Sequence, residues 1–372
     1  MNINFTGGPT VTEQTDPIRV MIVDDSAVIR GLFTRVLESS SDIRVVASVG
    51  DGALALKAIE RQDVDLVLLD IEMPNMDGLT ALPKLIHAKP GLIVIMASSL
   101  TERNADISLR ALRMGATDYV TKPSSREALR DADDFKRDLV SKVRALGRPS
   151  ADRATDRAPL PASVRTTAPK GDGHISLRPA GMVKPEVIAI GSSTGGPQAL
   201  AEVLKTLTKG ISLPILITQH MPPTFTSILA AHIGQSTGWP SAEAQDGDII
   251  EGRHIYVAPG GHHMLVEKSG MRKVIRLSDD PPENFCRPAV DPMLRSVAKS
   301  YGPSALVIIL TGMGYDGRAG SQEIIKSGGT VIAQDKATSI VWGMPGAVAT
   351  IGLCSAVLPL GDLGPHVTKI AA

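Results

Sequence analysis

The chain has 372 residues, equal numbers of basic and acidic side chains (39 each), 43% hydrophobic and 3% aromatic residues, and 2 cysteines. That length exceeds one ordinary hydrophobic core and implies two domains. Zero net charge offers no global field for nucleic acid or acidic membranes, and so few aromatic rings argue against a base-stacking surface.

In chain order, residues 1–16 are polar and are expected to form a disordered tail, without the basic start and apolar core of a secretory signal. From 17 to 146, apolar strand-like runs at 19–23, 44–49, 65–69, 92–97 and 119–121 alternate with helical patterns at 26–38, 52–61, 78–88, 105–114 and 125–146. That alternation predicts a parallel α/β sheet. Residues 147–184 lack a hydrophobic period, are rich in Pro, Arg, Ala, Thr and Asp, and read as a flexible linker. From 185 to 372 the alternation resumes, with strands expected at 187–190, 215–218, 254–258, 274–277, 306–310, 330–333 and 356–358. The fold class is therefore α/β, two doubly wound parallel-sheet domains joined by the linker. The apolar runs are far too short to span a bilayer, and Cys286 and Cys354 lack metal-ligand spacing and suit a reducing compartment. A cytoplasmic protein without membrane insertion is expected.

Groups at the carboxyl ends of parallel strands converge on one sheet edge. In the first domain these are Asp24 and Asp25, Asp70, Ser98 and Lys122. Three carboxylates crowded together repel one another, and Mg²⁺ with its preference for oxygen ligands relieves this. A carboxylate beside the metal can accept a phosphoryl group, with Lys122 pairing the new charge and Ser98 hydrogen-bonding to it. The stretches Val-Asp24-Asp25-Ser, Leu-Asp70-Ile-Glu-Met-Pro-Asn-Met-Asp-Gly, Met-Ala-Ser98-Ser and Val-Thr-Lys122-Pro resemble the receiver domain of bacterial response regulators. The resemblance implies a flavodoxin-like fold and phosphorylation of Asp70 by a histidine kinase. It also implies Mg²⁺ held by Asp25, Asp70 and the Glu72 carbonyl with Asp24 acting through water, Ser98 and Tyr119 as a switch pair, and a cis peptide before Pro123.

In the second domain an apolar strand runs into Gly191-Ser192-Ser193-Thr194-Gly195-Gly196-Pro197, followed at once by a helical pattern from 198 to 207. Glycines around the turn permit backbone angles that a side chain forbids and bring the first helical N–H groups close to a ligand. Gly191-x-Ser193-x-Gly195 fits a turn that exposes a nucleophilic serine above a sheet. The backbone near Thr194 and Gly195 is the candidate oxyanion site. A serine needs a base, and the base an orienting acid. His220 follows the 215–218 strand and so lies on the same edge; His262 and His263, after Val-Ala-Pro-Gly-Gly, are its rivals. Asp316, in the glycine-rich loop after the 306–310 strand, is the candidate acid, while Asp246, Asp248, Asp279, Asp280 and Asp291 read as solvated turn residues.

The order Ser193, His220, Asp316 differs from the serine–acid–histidine order of the α/β-hydrolases. A nucleotide-binding module lacks support because neither a Gly-Lys-Ser/Thr ending nor a Gly-x-Gly-x-x-Gly fingerprint is present. A DNA-binding regulator lacks a basic recognition helix. The stretches around Ser193, Thr-Gln-His220-Met-Pro-Pro, Tyr-Val-Ala-Pro-Gly, Arg-Pro-Ala-Val-Asp291 and Leu-Thr-Gly-Met-Gly-Tyr-Asp316-Gly resemble the CheB family of chemotaxis methylesterases. The resemblance implies hydrolysis of glutamate γ-methyl esters on chemotaxis receptors, deamidation of receptor glutamines, and no cofactor in the catalytic domain.

Overall fold

A computed structural model of the chain describes residues 16–123, 132–147 and 175–371. The first unit runs β1 (Ile18–Val23), α1 (Ala27–Glu38), β2 (Ile43–Val49), α2 (Gly52–Ile59), β3 (Leu66–Asp70), α3 (Gly78–Ala88), β4 (Ile93–Ser98), α4 (Glu102–Arg113), β5 (Asp118–Thr121) and α5 (Ala132–Gly147). Side chains cap helix starts: Asp51 accepts from Leu54 N–H at 2.8 Å and Asp77 from Thr80 N–H at 2.7 Å. The all-parallel sheet has order β2-β1-β3-β4-β5, and every residue of β3 is buried, as a strand covered by helices on both faces requires. Chain direction across the sheet reverses between β1 and β3, where Asp24, Asp25 and Asp70 emerge.

The second unit runs β6 (Val187–Ser192), α6 (Gly196–Gly210), β7 (Ile215–Gln219), α7 (Phe225–Thr237), β8 (Ser241–Glu243), β9 (Ile255–Val257), β10 (His263–Ser269), β11 (Arg272–Ser278), α8 (Val290–Tyr301), β12 (Ala305–Ile309), α9 (Arg318–Lys326), β13 (Thr330–Gln334), α10 (Met344–Ala349), β14 (Ala356–Leu358) and α11 (Leu360–Ala371). Seven strands form a parallel sheet of order β14-β13-β12-β6-β7-β9-β8. The run at 274–277, expected as one of these strands, instead belongs to an antiparallel hairpin, β10–β11, that turns at Gly270 with φ +60°. Glu267, Lys268, Arg272, Lys273 and Arg276 explain the difference. Their charges, on both faces toward the turn, keep that end of the hairpin in water, whereas a central parallel strand is covered on both faces. The short β8 carries no apolar run and was not expected.

Residues 175–184, read from composition as the end of the linker, lie on the second unit. Arg178 N–H donates to the Cys354 carbonyl at 3.0 Å, Gly181 N–H donates to Thr330 Oγ1 at 2.9 Å, and Ile175 packs on the core around β12 and β13. Composition alone misses this because the segment is held by backbone bonds and one aliphatic side chain. The proposed tail at 1–15 and the rest of the linker, 148–174, lie outside the described residues. Among the described residues the single cis peptide is Arg287–Pro288, so the one expected before Pro123 is not found.

The two units meet along α4 and β5 of the first and α6 and α7 of the second. The Tyr119 ring stacks on Phe225 with centroids 4.6 Å apart and planes inclined by 9°. Gln198 Nε2 donates to the Ala116 carbonyl at 3.2 Å, and His232 Nε2 lies 2.9 Å from Asp106 Oδ1. Arg137 of α5 stands 4.2 Å over the Phe285 ring, and Ile340 and Val341 pack on the hydrophobic cluster of the first unit. No helix among the described residues is long and apolar enough to cross a membrane.

Candidate active site

β12, β6 and β7 are adjacent, and the loops that follow them bring three of the expected residues to one sheet edge. Register pairs Ser192 with Gln219, so Ser193 and His220 leave neighbouring strands at the same level, and His220 N–H donates to the Ser192 carbonyl at 3.1 Å. Ser193 N–H donates across to the Thr311 carbonyl at 3.0 Å, tying the serine turn to the loop that carries Asp316. That loop passes close to the serine because Gly312 has no side chain: a Cβ there would lie 2.3 Å from the Met344 sulfur and 2.9 Å from Ser193 Cβ. Gly195, at φ +75°, opens α6 in a conformation few other residues adopt. The N–H groups of Thr194 and Gly195 find no acceptor among the described residues, as an oxyanion site requires.

His220 Nε2 lies 2.7 Å from Asp316 Oδ2. The same carboxylate accepts from the N–H groups of Val290, Asp291 and Gly317 and from Asn284 Nδ2. Burial works against its charge, but His220 and the N–H groups at the start of α8 hold it down to about 2. Burial likewise disfavours a charged His220, yet the Cys286 sulfur and Asp316 outweigh it and raise the imidazole to about 10. Nδ1 of His220 faces Cys286 Sγ at 3.3 Å. The structure thus brings His220 and Asp316 into direct contact and Ser193 to the neighbouring strand end, but it forms no Ser193–His220 hydrogen bond.

The rival histidines are placed elsewhere. Buried His263 accepts from Ala289 N–H at its Nδ1, and its Nε2 meets the Pro281 carbonyl; His262 pairs with Asp279 at 2.6 Å on the surface. Asp291 corrects the reading of it as a solvated turn residue. It is 3% exposed, accepts from Gly320 N–H at 2.6 Å, and is pushed up to about 6 by burial and by the Asp316 charge. Gln219 carried no role in the sequence reading. Buried beneath the turn, its Oε1 accepts from Ser192 Oγ at 2.6 Å and its Nε2 donates to the Ser193 and His220 carbonyls. Its place beside His220 in the motif is the only sequence signal it offers.

In the first unit, carboxylate oxygens of Asp24, Asp25 and Asp70 lie within 4.8 Å of one another. Lys122 Nζ reaches Asp24 at 2.7 Å and Asp70 at 2.6 Å, and burial pushes Asp70 up to about 6 against the pull of Lys122. A hard divalent cation fits this donor set: all oxygen, negatively charged and crowded. The Glu72 carboxylate stands apart, 3.6 Å from Arg103, which leaves only its backbone carbonyl for the role the resemblance implies. Ser98 Oγ points to the Ser99 and Asn104 carbonyls rather than to Asp70, and Tyr119 is buried against Phe225.

Comparison with known proteins adds an independent line. The family model described as CheB methylesterase matches residues 188–367, and that of the response regulator receiver domain matches residues 20–133. A "Protein-glutamate methylesterase/protein-glutamine glutaminase 1" of Paramagnetospirillum magneticum is 58% identical over 370 residues, covering 96% of this chain and 97% of its own. A "Protein-glutamate methylesterase/protein-glutamine glutaminase" of Azospirillum brasilense is 55% identical over 381 residues, with 98% and 96% covered.

Proposed function

The chain belongs to the CheB methylesterase family and carries a receiver domain ahead of the esterase domain; from this premise we propose its reaction and the residues that perform it. The substrate is a glutamate γ-methyl ester on a chemoreceptor helix, hydrolysed to glutamate and methanol. A receptor glutamine is deamidated by the same route, with ammonia leaving. The observation that carries the assignment is the 2.7 Å contact from His220 to Asp316, on strands either side of the one that ends in the Ser193 turn.

Ser193 Oγ attacks the ester carbonyl while Nδ1 of His220 takes its proton, since Nε2 keeps its own for Asp316. The imidazolium returns that proton to the departing methoxide, and methanol leaves an acyl-serine. Water then attacks the acyl carbon, giving its proton to Nδ1; the proton passes to Ser193 Oγ as the glutamate side chain departs. The Thr194 and Gly195 N–H groups receive the oxyanion in both halves. Asp316, ionised at any working pH, fixes the tautomer and supports the imidazolium. The test is methanol release from methylated receptor together with a serine-directed phosphonate. Labelling at Ser193 and loss of turnover are expected, whereas nucleotide-dependent protection without labelling would favour a binding module.

In the receiver domain, we propose that a chemotaxis histidine kinase phosphorylates Asp70. Asp24, Asp25, Asp70 and the Glu72 carbonyl would hold Mg²⁺, which when bound neutralises charge on the phosphoryl oxygens. Lys122 pairs the acyl phosphate, Ser98 turns from its carbonyl partners to hydrogen-bond with it, and Tyr119 re-seats. The cytoplasm is the proposed location.

A further inference from the structure

Ser193 needs a free ring nitrogen on His220, and only Nδ1 is left once Asp316 holds Nε2 at 2.7 Å. In the structure that nitrogen faces Cys286 Sγ at 3.3 Å, and Ser193 Oγ makes no bond to it. No step of the proposed reaction uses Cys286. The other cysteine, Cys354, is buried in the core around β12 and β13.

Cys286 is delivered by a turn built at some cost. Glu283 and Cys286 exchange backbone hydrogen bonds at 3.1 and 3.0 Å, and the two residues between them, Asn284 at φ +54° and Phe285 at φ +64°, both adopt left-handed conformations. Such conformations persist where surrounding contacts impose them, and they concentrate at functional sites. Here the contacts lead to the triad. Asn284 Nδ2 donates to Asp316 Oδ1 at 2.8 Å and to Asp291 Oδ2 at 3.0 Å, and Arg295 Nη1 pairs with Glu283 at 2.7 Å. One side of the turn is bolted to the acid and the other ends in a sulfur on the base.

We infer that Cys286 is a positioning residue: its sulfur holds Nδ1 of His220 in the resting enzyme, and catalysis requires the Glu283–Cys286 turn to yield that nitrogen to Ser193. The inference rests on His220 being the base. The ionisable groups around the imidazole are Asp316 and Cys286 in contact, with Asp291 and the Arg295–Glu283 pair one step behind. Of the two in contact, the sulfur is a removable cause of the raised imidazole pKa. Removing it makes the base form available at lower pH.

The experiment measures methanol release from methylated receptor by the full chain, across roughly pH 6 to 10. Cys286→Ala is expected to raise kcat about three- to tenfold near neutrality with KM unchanged, and to move the acid limb of kcat/KM down by about one pH unit or more. Cys286→Ser places a hydroxyl beside Nδ1 in place of the sulfur, so kcat should return toward wild type while the limb stays low. An unmoved limb with kcat equal or reduced in Cys286→Ala overturns the inference. If that variant does not fold, NMR titration of the His220 ring in wild type and Cys286→Ser carries the test; equal midpoints overturn it. Near-normal turnover in His220→Ala would instead remove the base assignment itself.

Discussion

Asp316 accepts hydrogen bonds from His220 Nε2, Asn284 Nδ2 and the N–H groups of Val290, Asp291 and Gly317, so its charge is stabilised almost wholly by groups that only donate. Its lowered pKa contributes stability that is full above the ordinary carboxylate value of about 3.9 and is lost as pH falls toward 2. Asp316→Asn must turn an NH₂ group toward one of those donors, and turnover should drop by on the order of 10²–10⁴ with mis-setting of the imidazole tautomer. Ser193→Ala, His220→Ala and the double variant should each lose on the order of 10⁴-fold or more without multiplying, because the residues act as a unit. Multiplicative losses would mean two independent contributions instead. Asp70 has the opposite sign. Its pKa is raised to about 6, so the ionised carboxylate costs stability on the order of 3 kcal/mol as pH rises from about 4 through 6. Mg²⁺ should therefore raise the melting temperature clearly at about pH 7.5 and little at about pH 5, where protons compete for the same oxygens. Asp70→Asn should remove most of the gain. An equal Mg²⁺ effect at both pH values would place the ion elsewhere.

At the scale of elements, the parallel strands and their helices were legible because two-sided burial writes uninterrupted apolar runs, as in β3, β6 and β12. The ends of those strands also point to Ser193, His220, Asp316 and the acidic pocket as candidates, since topology alone carries such residues to one edge. What sequence could not disclose depends on tertiary partners. The β10–β11 hairpin has an apolar run like a sheet strand, and only its pairing separates the two. Gln219, Asn284 and Cys286 have no pattern of their own; their roles lie in what each side chain touches. Asp291 sits in a polar stretch, and its burial comes from α9 packing on α8. Residues 175–184 make the same point and yield a prediction. A fragment starting near residue 185 loses the Ile175 packing and the Arg178 and Gly181 bonds made to the loop before β14 and to β13. It should melt several degrees below a fragment starting near 175, for a loss of about 1–3 kcal/mol. Equal melting temperatures would return that segment to the linker.

At the scale of the whole molecule, the proposed receiver switch touches elements that flank the proposed catalytic site. Tyr119, the residue expected to move with Ser98, is stacked on Phe225, five residues beyond His220. Gln198, two residues into α6 after the Ser193 turn, is held by the Ala116 carbonyl. Ile340 would meet a side chain at Gly195 and also packs on the receiver core. We propose that an unphosphorylated receiver held by these contacts blocks the approach to Ser193; withdrawing Tyr119 removes one aromatic stack worth about 0.5–1.5 kcal/mol along with the polar contacts beside it. A tenfold to hundredfold activation needs only about 1.4–2.7 kcal/mol of coupling, so these few contacts suffice. The expected outcome is that a fragment from about 175 to 372 releases methanol without any phosphoryl donor, that Asp70→Asn stays at the basal rate with one, and that Tyr119→Ala raises the unphosphorylated rate. A fragment no faster than the unphosphorylated full chain would sink the occlusion model. The receiver would then act by recruiting substrate, which phosphorylation would reveal as a lowered KM at unchanged kcat.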